Sequence, residues 1–65
     1  MEIIVNGAPH RLATRCSIRD LIAELGLADA RIAVELNREI VPRHCFEHTR
    51  LKAGDRVEIV RAVGG

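Results

Sequence analysis

The sequence predicts an α+β domain, a mixed sheet of four to five strands packed on one helix. Three observations carry that prediction. The chain opens on a β-branched segment that stops at Asn6-Gly7, it holds one short amphipathic helical stretch after Ser17, and it closes on a strand apolar on both faces. With 65 residues and 7.2 kDa, only one core can be built. Twenty Val, Ile, Leu and Phe residues are available to fill it. A domain of this size buries only about 60% of the surface its unfolded chain exposes. It has little room for a deep pocket of about 300 Å³ or more, which argues against a self-contained enzyme.

Each element has its own signal. Met1 to Val5 reads as a strand, and Asn6-Gly7 tolerates the positive φ that a tight hairpin turn demands. His10 to Ala13 reads as the return strand, with Pro9 at its start or on a sheet edge, because proline has no N–H to give a ladder. Ser17 then suits a helix N-cap, and Asp20 places a carboxylate at the positive end of the helix dipole. Ile18, Leu21, Ile22 and Leu25 form a single i, i+3, i+4, i+7 stripe. Gly26 stands where a left-handed C′ residue is wanted, with Leu27 folding back on the last turn. A helix this short is not stable alone and must lie on a sheet.

Ile32, Val34 and Leu36 alternate with Ala33, Glu35 and Asn37, the period of a half-buried strand. Ile40 to Pro42 is a short extended piece stopped by its proline. Residues 43–50 are polar and irregular, with Phe46 closing the open end of the core. Gly54 supplies a turn, and Arg56 to Val63 is the last strand. Val57 and Ile59 lie on one of its faces and Val60 and Ala62 on the other, so it belongs in the sheet centre beside the first strand. Element order β-β-α-β-(β)-β in this arrangement is the β-grasp fold. Residues 1–63 are expected to form it, and Gly64-Gly65 a flexible tail.

Charge and composition exclude several functions. Ten Lys and Arg against nine Asp and Glu leave a net charge of +1, and Phe46 is the sole aromatic residue. That is neither a basic footprint nor a stacking platform for nucleic acid. The longest apolar run, Ile3-Ile4-Val5, is far short of the ~18 residues of a membrane span. No export signal opens the chain, and two cysteines are few for a small secreted domain. A cytoplasmic protein is expected, without membrane or nucleic-acid partners.

No catalytic or metal-binding constellation emerges inside the domain. His44, Cys45 and His48 lie within five residues, but closed zinc sites take four ligands, usually from two separated pairs. A nucleophilic Cys45 needs an orienting third group and a cleft. Cys16, just before a helix, has no second feature to make it functional. Glu35 with Glu39, or Asp55 with Glu58, are explained as charged outward faces. No phosphate-binding glycine loop is present.

Chemistry is left to the end of the chain. Without side chains, Gly64 and Gly65 can thread a channel too narrow for any Cβ and bring the terminal carboxylate to another protein's active site. That carboxylate, ionised at pH 7 with a pKa of about 3.3–3.7, is a nucleophile toward the α-phosphate of ATP. Val60, Ala62 and Val63 offer an apolar docking surface near it. This is the design of a carrier.

These blocks resemble the ThiS-type sulfur carrier proteins of thiamine biosynthesis, ubiquitin-like β-grasp proteins. The similarity runs through Met1-Glu2-Ile3-Ile4-Val5-Asn6-Gly7, Asp20-Leu21-Ile22, Ala33 to Arg43, Leu51 to Val60 and Ala62-Val63-Gly64-Gly65. It implies that an E1-like adenylyltransferase of the ThiF type, using ATP, converts the Gly65 carboxylate to an acyl-adenylate. Sulfur from a cysteine desulfurase or rhodanese-like donor then leaves a thiocarboxylate, which a thiazole synthase of the ThiG type consumes. The chain itself would bind no cofactor. It departs from the family at Thr14-Arg15-Cys16, where glycine is frequent, and at Phe46, where a larger aromatic is common. Rival readings are a MoaD-like small subunit of molybdopterin synthase, a ubiquitin-like modifier, and a non-catalytic β-grasp interaction or RNA-binding module.

Overall fold

The computed structural model describes residues 1–61. Its elements are β1 (Glu2–Val5), β2 (Ala8–Arg11), α1 (Ile18–Glu24), β3 (Ile32–Leu36), β4 (Glu39–Val41), a 3-10 turn (Arg43–Cys45) and β5 (Arg56–Arg61). The five strands form one sheet in the order β2-β1-β5-β3-β4. β5 is central, parallel to β1 and antiparallel to β3. This is the expected β-grasp arrangement, with the last strand beside the first.

The β1–β2 hairpin closes on Asn6-Gly7 with φ of 49° and 84°, and Val5 faces Ala8 across it. Both residues are left-handed, the type I′ pattern whose twist matches that of the strands. Pro9 lies on β2, an edge strand, where its missing N–H leaves no gap in a central ladder.

A second hairpin of the same kind joins β3 to β4. Leu36 faces Glu39, and Asn37 and Arg38 between them have φ of 51° and 72°. The sequence reads there only as a short extended piece. Arg38 hides the turn, because an arginine carries no signal for positive φ.

Helix α1 begins with a reciprocal capping box. The Asp20 amide donates to Ser17 Oγ (3.1 Å), and the Ser17 amide donates to Asp20 Oδ2 (3.0 Å). It ends in a Schellman motif. Leu27 N–H donates to the Ile22 carbonyl and Gly26 N–H, at φ +75°, to the Ala23 carbonyl. Ile18, Leu21 and Ile22 from the helix meet Ile3, Val34 and Val57 from the three middle strands in one core, with Leu12, Phe46 and Leu51 at its margins. Phe46 closes one end, and the Arg43 guanidinium sits 6.0 Å from its ring centroid. Residues 43–45 wind into a 3-10 turn where an irregular loop is expected.

One expectation needs correction. Asp55 is not an outward charge but 5% exposed. Its Oδ2 accepts from the Lys52 amide (2.7 Å) and its Oδ1 from Asn37 Nδ2 (3.1 Å), so it fastens the turn before β5 to the β3–β4 hairpin. Its long-range partner is set by topology, not by sequence neighbours. The surface also carries a groove of about 490 Å³ between α1 and the 3-10 turn. Solvent-exposed Arg19, Asp29, His44 and Glu47 help to line it, so it is an open groove and not a water-excluding pocket.

Candidate functional site

The strand that leads to the C-terminus is held on both sides at its start. On the β1 side, Ile4 N–H donates to the Asp55 carbonyl and Asn6 N–H to that of Val57, each at 2.9 Å. Where β1 turns away, Asn6 Oδ1 takes over the role of a backbone carbonyl and accepts from the Ile59 amide at 2.7 Å. On the β3 side, Asn37 N–H donates to the Arg56 carbonyl, and Asn37 Oδ1 accepts from the Arg56 amide. Two hairpin asparagines thus pin β5 from opposite flanks. Their positive φ and their side-chain acceptors serve the same end.

Alternation along β5 divides its side chains. Val57 is buried and Ile59 half-buried against the core, whereas Arg56, Glu58 and Val60 point to the uncovered face. Val60 is 62% exposed. Beside it across the sheet stands Ala33, and further out Ile40 on β4 is 75% exposed. The remaining expected site residues, Ala62, Val63, Gly64 and Gly65, lie outside the described residues, as does the boundary expected after Val63.

The other candidates are not brought together. His44 and His48 are exposed and Cys45 is half-buried. The Cys45 carbonyl accepts from Thr49 Oγ1 at 2.7 Å, a local loop bond. Cys16 and Cys45 are both free thiols. Among the described residues no group of three or more His, Cys, Asp or Glu is placed to hold a metal ion. Glu35 faces Glu58 across β3 and β5, a juxtaposition that sequence reading passes over, because only the strand register reveals it.

The ThiS family model matches residues 3–65. The chain belongs to the ThiS family. A crystal structure of the thiamine biosynthesis protein ThiS from Geobacter metallireducens is 37% identical and superposes with a TM-score of 0.87, covering all of this chain and 99% of that one. A thiazole synthase of Paramagnetospirillum magneticum is 34% identical over 65 residues, all of this chain and 20% of that protein. The uncharacterized protein ycf40 of Porphyra purpurea is also 34% identical, over 92% of its length. The chain therefore spans about a fifth of the thiazole synthase it matches and nearly all of the other two relatives.

Proposed function

We propose that this ThiS-family chain is a sulfur carrier of thiamine biosynthesis whose working atom is the C-terminal carboxylate of Gly65. An E1-like adenylyltransferase of the ThiF type brings that carboxylate to ATP. A carboxylate oxygen attacks the α-phosphate, pyrophosphate leaves, and an acyl-adenylate forms. A persulfide sulfur from a cysteine desulfurase or rhodanese-like donor displaces AMP, and thiol reduction of the resulting acyl disulfide leaves the thiocarboxylate. A thiazole synthase of the ThiG type then takes the sulfur into the thiazole ring. The chain does no catalysis. ATP belongs to the partner, and the cycle runs in the cytoplasm.

The observation that carries this reading is the family match over residues 3–65, which extends through Gly64-Gly65. The stretch of a thiazole synthase that is 34% identical to this chain supports the choice of sulfur acceptor. Gly64 keeps the approach to the terminus free of side chains, and Val60, Ala62 and Val63 give the enzymes an apolar contact beside it. A β5 anchored by Asn6 and Asn37 is a suitable base for such a tail, since a fixed strand restricts where the terminus can reach.

The test is an intact-mass measurement after incubation with ATP, the adenylyltransferase and a sulfur donor. The chain is expected to gain the mass difference between sulfur and oxygen, and removal of Gly65 to abolish the gain. An unchanged mass with competent enzymes refutes the carrier.

A further inference from the structure

Among the described residues one buried side-chain nitrogen has no hydrogen-bond partner, Nε2 of His10. A buried polar atom left unpaired costs free energy. His10 stands opposite Ile3 in the β1–β2 ladder, and Ile3 is fully buried, so the imidazole lies on the helix side of the edge strand. Oε1 of Glu24, the last residue of α1, is 3.9 Å from that nitrogen. The gap is too long for a hydrogen bond and within reach of an ion pair. Glu24 is itself poorly placed. It sits at the negative end of the helix dipole, and the last turn of α1 has no basic residue to offset it. Each group lacks what the other supplies once the imidazole carries a proton.

The surrounding elements leave this pairing to the two residues. On β2, Arg11 alternates to the other sheet face, where it stands across from Glu2. From β1 the helix side carries Ile3 and Val5, and the Met1 ammonium donates to the Leu12 carbonyl at 2.7 Å. On α1, Arg19 and Asp20 belong to the first turn, the one beside Glu47 and the other in the capping box. Partial burial of His10, with 28% of its side chain exposed, opposes charging, whereas the carboxylate and the helix end favour it. Glu24 has 53% of its side chain exposed, so it can close the gap by a change of rotamer.

We propose that His10 and Glu24 form a pH-operated clasp between the edge strand β2 and the C-terminal end of α1. With a neutral imidazole the clasp is open and Nε2 has no partner. A proton taken up from solvent makes both ring nitrogens donors, and Nε2–H then donates to the Glu24 carboxylate. Histidine changes charge between about pH 5 and 8. The stabilisation belongs to the protonated form, so it is present below the unfolded histidine value of about 6.5 and fades as pH rises above it. β2 has β1 as its one neighbour in the sheet, so a second tie, to the helix, acts where the sheet is least supported. The clasp lies away from β5 and is independent of the carrier reading.

The experiment compares the full chain with Glu24→Gln, His10→Gln and the double variant, in thermal melts from about pH 8 down to about pH 5.5. Relative to the parent, Glu24→Gln is expected to lose about 3 °C of melting temperature over that range, the size of a partly exposed ion pair in a domain this small. Added salt should shrink the loss. In the His10→Gln background the same Glu24 substitution should have an effect that does not change with pH. His44 and His48 are common to parent and variant, so their titration cancels. Amide exchange on β2, compared at equal pH, should be slower in the parent than in Glu24→Gln at the acidic end and equal at the alkaline end. A parent–variant difference constant with pH overturns the clasp. So does one that varies equally without His10, since Glu24 would then act on the helix alone. Equal β2 exchange at both ends overturns the tie between strand and helix.

Discussion

Arg38 holds a φ of 72° at the second position of the β3–β4 turn, where the β1–β2 turn has Gly7 at 84°. A left-handed conformation costs an L-residue with a Cβ roughly 1–2 kcal/mol, and glycine escapes most of that cost. Arg15, at φ 67°, bears the same strain in the loop before α1. Arg38 is exposed and donates no hydrogen bond among the described residues, so it is the cleaner site to change. Arg38→Gly is expected to stabilise the domain by about 1 kcal/mol, read as a higher urea midpoint with an unchanged slope. The same position explains why one hairpin was legible in the sequence and the other was not. Asn6-Gly7 declares its turn by residue type, whereas Asn37-Arg38 declares only half of one. Asp55 illustrates a different limit. Its acceptor role depends on Asn37, eighteen residues away and brought near only by the β3–β5 pairing.

At the scale of the element, helix α1 is readable from end to end because its signals are local. Cap, stripe and terminating glycine all lie within eleven residues, Ser17 to Leu27, and all behave as residue type dictates. The Ser17 backbone N–H, then its hydroxyl contact, hold the Asp20 carboxyl below the usual aspartate range. A depressed folded value means that the carboxylate's contribution is complete above the unfolded aspartate value of about 3.9 and fades as pH falls through the lower, folded one. The melting temperature of the parent should therefore exceed that of Asp20→Asn at neutral pH, and the gap should close on acidification below that range. Melts recorded across a pH series check it. A gap that stays constant into strong acid would assign the effect to amide geometry instead of charge. The strands were also legible by alternation, but alternation alone does not say which strands adjoin. That is why Val60 could be placed on an outer face from sequence, while the opposition of Glu35 and Glu58 needed the sheet.

For the molecule as a whole, one small core answers for everything. Ile3, Ile18, Leu21, Val34 and Val57 are all within 1% of complete burial, and they come from the helix and the three middle strands. Neither the helix nor any of the three middle strands can loosen without exposing its share of that cluster. Leu21→Ala is expected to cost about 2–5 kcal/mol. Against a total of roughly 3–10 kcal/mol at ordinary stability per residue, that removes much of the margin. Urea unfolding followed by circular dichroism should show the loss as a single cooperative transition shifted to lower denaturant. Fold class and the core stripe were open to sequence reading, because each follows from residue type and order, and the resemblance of the motif blocks pointed to the family.

The parallel pairing of β1 with β5 has a mechanical consequence. An enzyme that draws on the carboxyl end pulls β5 lengthwise against a neighbour running the same way, while β3 holds its other flank. Bonds across such a seam are loaded side by side and must give way together, whereas those of a hairpin opened from its end break in succession. The body therefore resists a lengthwise pull on its C-terminal strand better than a hairpin of the same length would.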